Sequence, residues 1–140
     1  MKRLGQPNAV VVILRQRDEY DGAAELQRKR LEVHESHGDL DEIASATWGL
    51  ARIDLVRQDY ASALPRLVTS FNLLIHLRRP DGMAVVGHTL GQILVIAGLS
   101  DEARPVLELS LAAARKVDMT DYVQAISHLL ANLSEQGKTT

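Results

Sequence analysis

Apolar positions along this chain recur at helical spacing, and short polar breaks separate the helical stretches. Over 41–56 the apolar face runs Ile43, Ala44, Thr47, Leu50, Ala51 and Leu55, close to a 3.6-residue period. Gln58-Asp59 interrupts, and the pattern resumes over 60–77 with Ala63, Leu64, Leu67, Phe71, Leu74 and Ile75. Arg79-Pro80-Asp81-Gly82 reads as a stop and a turn. The next helix is expected over 83–97, closed by Gly98 in a left-handed cap. Ser100 is the expected N-cap of a helix running to 117, with Asp101 and Glu102 at its positive end. A turn at 118–120 leads into a last amphipathic helix over 122–133, and 134–140 is expected to fray. Upstream, a short helix over 7–17 and a longer one over 20–36 are expected, closed by Ser36-His37-Gly38-Asp39. The run from Ala9 to Leu14 is β-prone but too short to displace a helix there. The pattern therefore predicts seven helices and no strand, with short turns making neighbours antiparallel.

The helices form a repeat of 40 residues. Shifting by that period pairs Asp41 with Asp81, Ala44 with Ala84, Leu50 with Leu90 and Ile53 with Ile93. It also pairs Ala63 with Ala103, Pro65 with Pro105, Leu67 with Leu107 and Ser70 with Ser110. Going back, Ile13, Arg17, Tyr20 and Ala23 lie under Ile53, Arg57, Tyr60 and Ala63; going forward, Asp121, His128 and Leu130 lie over Asp81, His88 and Leu90. A period of this length means stacked supersecondary units, a solenoid. The expected organisation is one all-α domain over 1–140, with repeats at 1–40, 41–80 and 81–120 and a half repeat at 121–136 acting as a capping helix.

The second copy reads Trp48, Leu50-Ala51, Tyr60, Ala63, Leu67 and Ser70; the third reads His88, Leu90-Gly91, Gly98, Ala103, Leu107 and Ser110. This pattern resembles the tetratricopeptide repeat, in a long variant of about 40 residues rather than the usual 34. The resemblance implies a right-handed α-solenoid of about three and a half antiparallel helix pairs. Asp54 takes a slot normally filled by a large apolar residue, and Gln27 and Arg30 replace Leu67 and Ser70 in the first copy, so these three departures fall at one joint. Elsewhere, Trp48 lies one position later than the family's usual Trp, and Ser100 replaces Tyr60 in the third copy. Small residues at Ala51, Ala63, Gly91 and Ala103 are expected where paired helices cross, because larger side chains there overpack by about 1–3 kcal/mol. Pro65 and Pro105 are expected just inside the second helix of each pair, in a turn that tolerates the missing N–H.

Composition narrows the partners. The chain has 140 residues, 46% hydrophobic and 24% charged, with aromatics at only 4%, so small aliphatics must build the core. The net charge of −2 supplies no basic footprint for phosphate, so nucleic acid is not an expected partner. With no cysteine, disulfides and thiolate metal sites are excluded, and a reducing compartment fits. No stretch reaches the roughly 18 apolar residues of a membrane span. The run from Ala9 to Leu14 is short for a signal peptide, so a cytoplasmic protein with no membrane partner is the expectation.

The resemblance implies that the first helix of each pair lines a concave groove. Carried over by position, one groove row is Asn8, Trp48, His88 and His128, and a second row, four residues on, is Val12, Arg52, Gln92 and Asn132. Polar groups at a fixed register suit an extended peptide, with Trp48 as its apolar anchor. His88 and His128 occupy one slot on neighbouring repeats, about 10 Å apart at helix-packing distance, which is far for a shared ion. No carboxylate lies one turn from either, and no metalloprotease or phosphate-loop motif occurs. No metal, cofactor or catalytic residue is therefore expected. The Lys and Asn of a carboxylate clamp are replaced by Trp48 or His88 and by Arg52 or Gln92, which disfavours that partner class. Asp54 must be paired or reach solvent. Arg30 or Gln27 is one expected partner and Arg57 the rival.

The last helix turns Val123, Ile126, Leu130 and Leu133 inward and suits a cap. The start has no such cap. Either it is a stub, or another chain covers it as in a homo-oligomer, or the chain belongs to a longer array. The function expected is non-enzymatic binding of a protein or peptide partner in the groove. The alternative is a ligand-sensing or regulatory repeat segment of a larger bacterial-type regulator assembly.

Overall fold

The structure, a computed structural model, describes residues 22–32 and 38–139. The expected first helix over 7–17 and Asn8 lie outside the described residues. Those described form six helices and no strand: 22–32 (α1), Leu40–Val56 (α2), Tyr60–His76 (α3), Pro80–Ile96 (α4), Ser100–Lys116 (α5) and Thr120–Thr139 (α6). Helices α2 to α5 have 17 residues each. Three-residue connections separate them, so helix starts recur every 20 residues, half the sequence period.

One termination device makes this spacing. The residue two places past each helix end takes a left-handed backbone: Gln58, Arg78, Gly98 and Asp118, with φ of 60°, 57°, 79° and 57°. The residue that follows sends its N–H back five places, as in Asp59 to the Asp54 carbonyl at 2.8 Å and Leu99 to the Leu94 carbonyl at 2.8 Å. A second bond closes the turn inside the first, as in Gln58 to the Leu55 carbonyl at 3.0 Å. This is the Schellman cap, which satisfies carbonyls a helix end leaves orphaned. Gly38, one 40-residue period before Arg78, is also left-handed at φ 69°. Glycine adopts this conformation freely, whereas a residue with a Cβ loses about 1–2 kcal/mol there. Gln58→Gly and Asp118→Gly are each expected to raise the unfolding free energy by about 1 kcal/mol, and Gly98→Ala to lower it by a similar amount. Urea denaturation of the three variants checks both signs; a Gly98→Ala variant as stable as wild type would remove the strain argument.

Several boundaries differ from the sequence expectation. Pro80 opens α4 instead of sitting in a turn, because its fixed φ suits the first helical position and its missing N–H has no partner to lose there. Ser100 is the first residue of α5, and its N-cap, Leu99, makes no side-chain capping bond. Asp39 and Asp59 do cap, accepting the N–H of Glu42 and of Ser62, each at 3.2 Å. Those bonds from Ser62 hold the Asp59 carboxyl below the usual carboxylate range. Pro65 and Pro105 are the sixth residues of α3 and α5, beyond the first turn, so each helix forgoes an internal bond. Helix α6 continues through 134–139 rather than fraying.

Neighbouring helices pack in chain order from α2 to α6, and α4 also touches α6. The core repeats with the sequence. Leu67 and Leu107 are fully buried, as are Ala63 and Ala103. One slot carries Ala46, Val86 and Ile126, all buried although their sizes differ. Where helices cross, the small residues are required. A Cβ on Gly91 would overlap the Leu107 side chain, and one on Gly87 would overlap the Ser110 hydroxyl and lie 2.7 Å from Cε1 of Phe71. Leu133 and Ile126 of α6 face inward, and no large apolar side chain of α6 is among the exposed ones, which fits a terminal helix with a polar outer face.

Asp54 is buried, and its carboxylate meets the Arg66 guanidinium of α3 at 2.6 Å. The expected partners lie elsewhere. Arg30 donates to Gln27 at 3.3 Å and to Glu42 at 3.1 Å, and Arg57 is exposed past the end of α2. The reason is geometric: the slot of Asp54 faces the following helix of its own pair, whereas Arg30 reaches the first turns of α2.

Candidate binding groove

Trp48, on α2, is half-buried, with its side chain packed against the main core. The Arg52 guanidinium, one turn on, lies 5.9 Å from the ring centroid, a cation–π distance. Two hollows meet at this tryptophan. One, of about 390 Å³, lies between α2, α3 and α4 and is lined by Ala44, Ser45, Leu74, Val85, Val86 and Met119, with Asp41 and Asp81 among its walls. The other, of about 570 Å³, is lined by Gln27, Gly49, Arg52, Val56 and Thr89. A further slot of about 300 Å³ involves α3, α4 and α5 and carries Ile75, Met83 and Leu109 beside Arg78 and Lys116.

The sequence-chosen residues are only partly brought together. Trp48 and Arg52 share a face of α2 and both line the larger hollow. His88 does not stand free. Its ring meets Tyr122 of α6 edge-on, with centroids 5.6 Å apart and planes at 89°. Gln92, His128 and Asn132 are exposed and line none of the three hollows. Among the described residues, no three His, Asp or Glu side chains gather as metal ligands would. No described helix is long and apolar enough to cross a membrane.

Burial of His88 pushes its pKa below the usual histidine value, because desolvation penalises the imidazolium. The folded state thus prefers neutral His88, and its contribution to stability is present above the unfolded value of about 6.5 and is lost as pH falls below it. A proton NMR titration is expected to place the His88 midpoint below the usual histidine value. Tyr122→Ala, which opens the ring to water, is expected to raise it. A His88 midpoint unchanged by Tyr122→Ala would show that the tyrosine does not shield it.

Sequence reasoning missed the acidic side of the smaller hollow. Asp41 and Asp81 stand in the first turns of α2 and α4, and Ser45 and Val85 follow one turn on. The signal was present, since Asp41, Asp81 and Asp121 match at the repeat period and Asp41, Ser45 and Trp48 fall on one helix face. Arg79, just before α4, donates to Asp41 at 2.7 Å. That bond, with Asp81 adding to the field, raises the Arg79 pKa further. One repeat on, the position of Arg79 is Met119, so no arginine reaches Asp81 from there. Asp81 makes no ion pair among the described residues.

Compared with protein-family models and with curated proteins, the chain matches none.

Proposed function

We propose that this chain is a non-enzymatic binding scaffold, a tetratricopeptide-like right-handed solenoid that holds a peptide or protein segment across the face of α2 and α4. The observation that carries the reading is the half-exposed Trp48 between two hollows of about 390 and 570 Å³, both open to exposed polar residues. Aromatic anchors flanked by polar groups are what peptide recognition uses, with affinity concentrated in a few side chains. Sequential packing of 17-residue helices at a 20-residue spacing supports the solenoid arrangement, and the 40-residue match supports its division into pairs. Trp48 and Arg52 are the primary contacts in this reading. Gln92, His128 and Asn132 extend the surface toward α6, and His88 supports it through Tyr122.

The test is selection from a displayed random-peptide library, followed by binding to wild type and to Trp48→Ala/Arg52→Ala, with circular dichroism confirming that the variant is helical. Selected peptides are expected to bind the variant at least ten-fold more weakly, since a buried aromatic anchor is worth about 2 kcal/mol or more. Peptides that bind both forms equally would put the binding surface elsewhere.

A further inference from the structure

The smaller hollow combines an apolar floor with one carboxylate that makes no direct ion pair among the described residues. Ala44, Leu74, Val85, Val86 and Met119 supply the floor, and Asp81 stands at its edge. The neighbouring Asp41 accepts from Arg79 at 2.7 Å and Asp81 adds to the field on the same guanidinium, so the three charges sum to one negative while Asp81 makes no direct ion pair among the described residues. A lysine or arginine side chain matches this arrangement, since its stem lies on apolar surface while its head reaches a carboxylate. A carboxylate or phosphate would face Asp81 at close range, and a purely apolar side chain would strip water from Asp81 without replacing it. Arg52 places positive charge on the Trp48 ring, which directs a cation toward the Asp81 side. Methionine at 119 gives the floor a side chain that adapts to stems of different shape.

We propose that the hollow between Trp48 and Met119 receives a lysine or arginine side chain of the bound peptide, with Asp81 as the counter-charge. This rests on the groove being the binding surface, as proposed above. It adds the chemical class of the partner, a segment with a basic residue among aliphatic ones.

The probe is acetyl-Ala-Leu-Lys-Leu-Ala-amide, compared with the same peptide carrying norleucine or glutamate in place of lysine. Binding is followed by the Trp48 indole N–H and the Met119 methyl resonances, with Leu109 on the separate slot as a control. The lysine peptide is expected to bind about five-fold more tightly than the norleucine peptide, the upper range for one exposed ion pair, and the glutamate peptide most weakly. Asp81→Asn is expected to abolish the preference for lysine over norleucine while leaving norleucine binding unchanged. Arg79→Met, which copies Met119 of the next repeat and frees Asp41, is expected to strengthen lysine-peptide binding. Norleucine or glutamate binding as well as lysine, or a lysine preference that survives Asp81→Asn, would overturn the assignment and leave the groove reading standing. If no probe moves Trp48 or Met119 at all, the groove reading falls with it.

Discussion

Arg66→Ala is expected to lower the unfolding free energy by about 3 kcal/mol, whereas the double substitution Asp54→Leu/Arg66→Val stays within about 1 kcal/mol of wild type or exceeds it. Asp54 is only 6% exposed, so deleting Arg66 leaves a carboxylate out of water with its charge uncompensated. The lower end of the 3–5 kcal/mol range applies because the Arg66 side chain keeps about a third of its surface in solvent. The double variant is the one the chain itself supplies. One repeat on, the same two slots hold Leu94 and Val106, and both pack in the main core. A buried ion pair replaced by apolar side chains of fitting shape is often neutral or stabilising. Urea melts of the single and double variants decide it. A double variant as unstable as Arg66→Ala would mean that the two joints are packed differently, despite the repeat.

The second large effect is expected at Gly87. Gly87→Ala should cost about 3 kcal/mol, the upper part of the range for overpacking a tight core. The added methyl overlaps the Ser110 hydroxyl, with Cβ of Ser110 at 2.9 Å and Cε1 of Phe71 at 2.7 Å behind it. Ser110 is fully buried and donates to the Val106 carbonyl of its own helix at 2.7 Å, so the hydroxyl cannot rotate away without leaving that bond. Ser110→Ala/Gly87→Ala removes the nearest atom and leaves the other two, so part of the loss should return. A double-mutant cycle measures this as a coupling between the two sites. Additive effects would show that Phe71, not Ser110, sets the limit. In the second repeat the equivalent of Gly87 is Thr47, and there Ser70 donates instead to the Ala44 carbonyl of α2 at 2.9 Å. The two joints thus use the same serine in different ways: one bonds across helices, the other makes room for a closer approach.

Much of the architecture was legible because it is local. Apolar spacing set the helices from 40 onward, and the matches at Leu67 and Leu107 or Ala63 and Ala103 fall on fully buried positions. Glycine flagged one left-handed cap, at Gly98. The caps at Gln58, Arg78 and Asp118 carried no such flag, because a side chain can be held in that conformation once the flanking helices pack. The site was less legible. Trp48 and Arg52 stack as one turn of a helix requires, but Asp41, Asp81 and Met119 come together only through the packing of α2, α4 and the turn before α6.

What the sequence determined by itself is the unit: a 40-residue helix pair and its small crossing residues. These follow from backbone periodicity and from side-chain size, which a one-dimensional pattern records directly. Which charges meet was decided only in three dimensions. Asp54 joins Arg66 rather than Arg30, and Asp41 takes Arg79 while Asp81 keeps its charge facing the hollow. Long polar side chains span several ångströms, and their partners depend on how far one helix is rotated against the next, a quantity that residue spacing does not contain.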